Sequence, residues 1–129
     1  MDLVDIALLY FGTPYVWGGN KPEEGMDCSG FVCEVLRSVG HIDEADRSAQ
    51  MLYDELSKRE GVRSQLGRNS ILFFGKSRTE ITHIAIGMSY KQLIESGGEG
   101  RVSTTHGYVR IRPVNYRNDL VAVLKLGDV

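Results

Sequence analysis

The sequence predicts an α+β domain, with N-terminal helices packed on one antiparallel β-sheet. Helical hydrophobic spacing is confined to the first half of the chain, and short apolar runs bounded by turn residues fill the second. A length of 129 residues fits one domain, residues 1–129, with its own core.

A first helix is expected over about Asp2 to Phe11, with Leu3, Ile6, Ala7 and Tyr10 on its apolar face. A glycine-rich loop follows. Next, Phe31, Val32, Val35, Leu36 and Val39 recur at helical spacing, with Asp27 as a natural N-cap and Gly40 as a natural stop. A third helical segment, roughly Arg47 to Glu60, carries Ala49, Met51, Leu52 and Leu56 and ends at Gly61. Short strands are expected at Ile71–Phe74, His83–Met88, Gln92–Ser96, Tyr108–Arg112 and Leu120–Leu126. A turn at Ser89-Tyr90-Lys91 would join the second and third of these as a hairpin.

Composition narrows the function. A net charge of −2 with scattered basic residues argues against broad nucleic-acid binding. No apolar stretch approaches the ~18 residues that a membrane span needs. The N-terminus, Met1-Asp2-Leu3-Val4-Asp5, lacks the basic start and cleavage site of a signal peptide. The chain is therefore expected to be made in the cytoplasm. Cysteine and histidine spacings match no metal site, and no cofactor is expected.

The chemistry concentrates at Asp27-Cys28-Ser29-Gly30-Phe31-Val32, eight residues after Pro14-Tyr15-Val16-Trp17-Gly18-Gly19. Cys28 falls in the first turn of the second helix, where unsatisfied N–H groups and the helix dipole favour a thiolate. Most free cysteines are small core residues. Gly18, Gly19, Gly25 and Gly30 set Cys28 apart, because they leave room for a substrate to approach the backbone. Cys33 lies five residues further along the same helix, on another face, and reads as core. That i,i+5 spacing also argues against a bridge between the two.

A nucleophile needs a base, and three histidines are available. His83 opens the apolar run Ile84-Ala85-Ile86-Gly87-Met88, where an imidazole needs partners for its ring nitrogens. His41 follows Gly40 in a polar turn, and His106 sits in the loop segment Thr104-Thr105-His106-Gly107. His83 is the candidate base.

Together, Tyr15-Val16-Trp17-Gly18-Gly19, Asp27-Cys28-Ser29-Gly30-Phe31-Val32, Phe73-Phe74 and Thr82-His83-Ile84-Ala85-Ile86-Gly87 resemble the NlpC/P60 family of cysteine peptidases, in the papain-like superfamily. Leu93-Ile94-Glu95-Ser96-Gly97-Gly98 and Ile111-Arg112-Pro113-Val114 resemble its phage and prophage branch, whose members are often tail-associated. Two departures stand out. The family's Pro-Gly-Asp before the Phe-Phe strand is replaced by Arg68-Asn69-Ser70. Its Pro-Arg-x-Ser-x-x-Gln segment is matched only loosely by Asp46-Arg47-Ser48-Ala49-Gln50.

The resemblance implies that Cys28 is the nucleophile and His83 the general base. A third polar residue, usually His, Asn or Gln, orients the imidazole from the next strand. Its usual position, twelve residues beyond His83, is occupied by Glu95. Hairpin pairing about Ser89 would set His83 and Glu95 opposite each other, and a register one residue different would bring Ser96 there instead. A carboxylate there would hold the Nδ1–H tautomer, as the acid does in a Ser-His-Asp arrangement. Tyr15, Asp27 and Ser29 match family positions that recognise a free N-terminal amine. Tyr15 and the Cys28 backbone N–H would form an oxyanion hole. Trp17 either lines the cleft or packs beside Gly18-Gly19.

The expected activity is hydrolysis of a peptidoglycan stem peptide or muropeptide through a Cys28 thioester, at the bond between D-glutamate and the following diamino acid. The alternatives are a non-catalytic or structural phage-tail module, and an acyl transferase or amidase on the same fold. On the phage reading, tail proteins would be partners and the chain would be virion-associated, acting at the cell wall.

Overall fold

The computed structural model describes residues 1–97 and 107–127. Helix α1 spans Leu3–Leu9, and Asp2 and Asp5 close a reciprocal capping box at its start. It ends two residues before the expected Phe11, because Tyr10 leaves helical geometry at the C-cap. A short hairpin then forms from β1 (Asn20–Lys21) and β2 (Gly25–Met26). Each strand has two residues, too few for hydrophobic alternation to register.

Helix α2 spans Cys28–Ser38 and buries Phe31, Val32, Cys33, Val35 and Leu36. The carboxylate of Asp27 accepts from the Gly30 N–H, as an N-cap should. Helix α3, Ala49–Leu56, is shorter than the expected Arg47–Glu60 segment, because Ser48 caps it and Ser57 closes it. Its Gln50 side chain accepts from the Ile81 N–H at 2.8 Å and donates to the Arg78 carbonyl, tying α3 to the sheet.

Five strands follow: β3 (Ser70–Ser77), β4 (Glu80–Gly87), β5 (Gln92–Gly97), β6 (Tyr108–Pro113) and β7 (Leu120–Lys125). They form one antiparallel sheet in the order β6-β5-β4-β3-β7. All five lie where the hydrophobic runs place them, with β3 and β4 longer at their polar ends. The expected turn at Ser89-Tyr90-Lys91 is present, with the Ser89 hydroxyl accepting from the Lys91 and Gln92 N–H groups.

The entry to β3 resolves the first departure from the family pattern. Asn69 takes a left-handed conformation, φ 70°, which Asn tolerates better than most residues. Its side chain accepts from the Val4 N–H and donates to Asp2, while the Ser70 hydroxyl donates to the Gly67 carbonyl. Arg68-Asn69-Ser70 thus builds its own turn and docks α1.

The sheet has two apolar faces. Ile71, Phe73, Ile84, Ile86, Ile94 and Val109 pack with the helices in the main core. Leu72, Phe74, Ala85 and Leu93 form a smaller cluster with Leu66, Val114 and Val123. A β-bulge interrupts the β3–β4 ladder between the pairs Phe74–His83 and Gly75–Ile81. Bulges bend a strand and re-aim its side chains, and this one sits beside the candidate base.

Candidate active site

The loop before α2 is held by backbone contacts at very close range. The Gly19 N–H donates to the Val16 carbonyl at 2.8 Å, and the Asp27 N–H to the Gly19 carbonyl at 2.9 Å. A Cβ on Gly30 would collide with the Gly19 carbonyl oxygen, so only glycine lets the loop lie against the helix start. Asp27 ties the arrangement together. Its Oδ1 accepts from the Gly30 N–H at 2.7 Å and the Ser29 hydroxyl at 3.3 Å, and its Oδ2 from the Gly18 N–H at 3.2 Å.

Cys28 is the first residue of α2 and half-buried, whereas Cys33 is 2% exposed. The two thiols differ as expected. Burial pushes the Cys33 thiol up, so it stays protonated and inert. Cys28 instead opens onto a cleft of about 400 Å³ lined by Tyr15, Trp17, Asp27, Ser29, His83 and Arg117, among others. Trp17 is 53% exposed and forms part of this wall rather than the core.

His83 reaches the same cleft from β4. Its Nε2–H donates to Glu95 Oε1 at 2.6 Å, and Glu95 is wholly buried. The β4–β5 pairing is not the one expected. Ile86 pairs with Ile94 and Gly87 with Leu93, which centres the hairpin on Tyr90 rather than Ser89. His83 and Glu95 are therefore diagonal neighbours, not opposite ones. The shift preserves the face of each side chain, so Glu95 still meets His83 and Ser96 turns away. The Ser96 hydroxyl donates to the Met26 carbonyl instead.

The tautomer also differs from expectation. Glu95 holds Nε2, which leaves Nδ1 as the ring nitrogen for the Cys28 thiol. Burial alone would push the His83 imidazolium down. Its contacts with Cys28 and Glu95 outweigh burial and raise its pKa from 6.5 to about 9. Glu95 shows the matching balance: burial favours the neutral acid, but His83, Tyr116 and Arg110 hold it below its ordinary value. An imidazole that keeps its proton through neutral pH is suited to stabilise a neighbouring thiolate.

Tyr15 is 5% exposed, and burial with the nearby Cys28 and Asp27 pushes its phenol up to about 12. It remains a hydrogen-bond donor at any working pH. His41 is half-buried in the turn after α2, and burial lowers its pKa. His106 lies outside the described residues. Among the described residues, no group of His, Cys, Asp and Glu is arranged to hold a metal ion, and no helix is long and apolar enough to cross a membrane.

The sequence reading missed Tyr116, Arg110 and Arg117. Arg110 donates to Glu95 Oε2 at 3.1 Å, and the Tyr116 hydroxyl contacts both carboxylate oxygens. Arg117 stacks over Phe74, pairs with Asp119 and reaches the cleft wall. Arg110 was findable in principle as the cross-strand partner of Glu95. Tyr116 and Arg117 sit in the turn after β6, where no periodicity points inward.

Comparison with known proteins agrees with this frame. Residues 12–118 match the NlpC/P60 family. The chain is 33% identical over 90 residues to the probable endopeptidase YafL of Escherichia coli (strain K12), covering 69% of this chain and 36% of that protein. It is 33% identical over 96 residues to the bifunctional muramidase/DL-endopeptidase CwlT of Bacillus subtilis (strain 168), covering 73% and 28%. The match thus spans about a third of the length of these curated relatives. Among solved structures, the NlpC/p60 domain of the peptidoglycan hydrolase SagA superposes with a TM-score of 0.74 at 27% identity, over 96% of each chain. RipD of Mycobacterium tuberculosis, a non-catalytic NlpC/p60 domain protein, superposes with a TM-score of 0.70 at 18% identity, over 98% of this chain and 95% of that one. The RipD likeness is one of fold alone. With the family match running from the glycine-rich loop through the turn after β6, on a frame shared with SagA, the chain belongs to the NlpC/P60 family.

Proposed function

We propose that this chain is a cysteine endopeptidase that hydrolyses peptidoglycan stem peptides. One observation carries the reading. A half-buried thiol at a helix N-terminus shares an open cleft with a histidine whose far nitrogen is bound by a buried carboxylate. The peptidoglycan hydrolase SagA and the muramidase/DL-endopeptidase CwlT support the substrate class, and the probable endopeptidase YafL supports the reaction type.

In this reading the proton given up by Cys28 rests on His83 Nδ1, and the thiolate attacks the scissile carbonyl. The carbonyl oxygen becomes an oxyanion held by the Tyr15 hydroxyl and the Cys28 backbone N–H. His83 then donates its proton to the departing amine, leaving a thioester on Cys28. Water adds to the thioester as His83 takes its proton, and the acid product leaves with the thiol restored. Glu95 carries the charge opposite the imidazolium and keeps Nδ1 aimed at sulfur.

The bond we assign is the one between D-glutamate and the following diamino acid, with the free amine of the stem held near Asp27, Ser29 and Tyr15. Asp27 already accepts three hydrogen bonds, and a carboxylate with about four lone-pair sites retains room for an ammonium. Phage-tail delivery is supported only by the resemblance of residues 93–98 and 111–114. Mass spectrometry of muropeptides treated with the protein and with Cys28→Ala tests the proposal. An L-Ala-D-Glu product present only with the native cysteine supports it. Intact stems after treatment with folded, reduced protein favour a binding role, as in the non-catalytic RipD.

A further inference from the structure

Glu95 is 0% exposed, and its carboxylate meets three donor groups among the described residues. His83 Nε2–H reaches Oε1 at 2.6 Å from β4, and Arg110 Nε reaches Oε2 at 3.1 Å from β6. The Tyr116 hydroxyl sits 2.6 Å from Oε1 and 2.7 Å from Oε2. Both acceptors belong to one ionised group, so the phenol can only donate. Burial and Glu95 push the Tyr116 phenol up to about 12, which keeps that proton in place.

The terminal torsion of a glutamate is soft, with broad, roughly two-fold wells. His83 and Arg110 each hold one oxygen from a separate strand, and the Tyr116 hydroxyl adds a second donor to both, so that its loss gives the carboxylate more room to pivot. Tyr116 comes from the turn after β6, which also carries Arg117 to the cleft wall and the Arg117–Asp119 pair.

We infer that Tyr116 is a positioning residue for the catalytic base: its hydroxyl clamps the Glu95 carboxylate against His83 Nε2, with Arg110 balancing the charge. The inference rests on the proposed roles of Cys28 and His83. Tyr116 does not touch substrate; it acts through Glu95. Among the described residues, the other titratable neighbours are Cys28 and Asp119 around the imidazole, and Arg110 and Arg117 around the carboxylate and phenol.

Tyr116→Phe keeps the ring and deletes the clamp. With stem peptide, kcat should fall about tenfold, in line with the sensitivity of aligned groups to small misplacements, while KM stays within about twofold. The acid limb of kcat/KM should move to higher pH, because a buried carboxylate that loses a donor protonates sooner. In a Glu95→Ala background, Tyr116→Phe should cost almost nothing further. Arg110→Gln, which removes the positive charge beside the same carboxylate, should move the acid limb the same way.

A proton NMR spectrum separates this inference from the function it builds on. In Cys28→Ala protein without substrate, the short Nε2–H···Oε1 bond predicts a far-downfield His83 ring proton. Adding Tyr116→Phe should shift that resonance upfield or broaden it by exchange. An unmoved resonance, an unmoved acid limb, or equal losses with and without Glu95 would each overturn the clamp. Muropeptide cleavage that persists in Cys28→Ala would instead overturn the proposed chemistry and leave the NMR result standing on its own.

Discussion

The two walls of the cleft are built by different physics. On the helical wall, Cys28 is set by backbone: a capped helix start, a glycine loop in van der Waals contact with it, and amide–carbonyl bonds within one stretch of residues 16–30. On the sheet wall, His83 is set by side chains, through a buried carboxylate that also binds Arg110 and Tyr116. The placement of Cys28 therefore depends on local shape, and that of His83 on long-range charge. Substitutions should separate the two walls.

Cys28→Ala should have the largest effect on turnover, at least about a thousandfold, with the melting temperature almost unchanged. Retained hydrolysis of stem peptides would remove Cys28 from the reaction. Glu95→Ala should damage both activity and stability, since it leaves the buried ends of His83 and Arg110 without their counter-charge. A loss of about 3–5 kcal/mol in denaturant unfolding is expected. Glu95→Gln, which keeps an acceptor, should lose less. Equal rates in all three forms would take Glu95 out of the site.

Gly30→Ala tests the helical wall. Its new methyl meets the Gly19 carbonyl oxygen, a backbone atom that cannot rotate away, and a cost of about 1–3 kcal/mol should follow. Activity should fall with it as the loop retreats from Cys28. A fully active, equally stable Gly30→Ala would show that the loop's close approach is not needed.

The pH dependence probes the sheet wall. His83 is raised from 6.5 to about 9 in the folded protein. Its stabilising contribution is fully present below pH 6.5 and is lost as pH rises through about 9. The imidazolium needed to protonate the leaving amine disappears over the same range, so kcat/KM should fall on the alkaline side near pH 9. Glu95 works in the opposite sense: held below its ordinary value, it stabilises the protein above the usual carboxylate range and loses that contribution in acid. A basic limb near 6.5 would mean that Glu95 does not support the imidazolium. The smallest effect belongs to Cys33→Ala, which should cost about 1 kcal/mol and leave activity per folded molecule unchanged.

Most of the helical wall was legible in the amino-acid order. Asp27, Cys28 and Gly30 are neighbours in sequence, and helix capping is a local rule that acts over a few residues. The apolar runs likewise located all five strands of the sheet, although their polar ends extend by strand pairing rather than by hydrophobicity. The two-residue strands of the first hairpin and the early ends of α1 and α3 were not legible, since caps and short bridges leave no periodic trace.

The sequence by itself determined the fold class and pointed to Cys28 as the candidate nucleophile and to His83, over His41, as the candidate base. Only the tertiary structure decided how His83 is held. The hairpin register, centred on Tyr90, made Glu95 a diagonal partner and set Nε2 rather than Nδ1 against it. Tyr116 closes the carboxylate from a turn 21 residues away. Strand register and turn placement depend on the packing of the whole sheet, and no local pattern in the chain encodes where such a side chain will land.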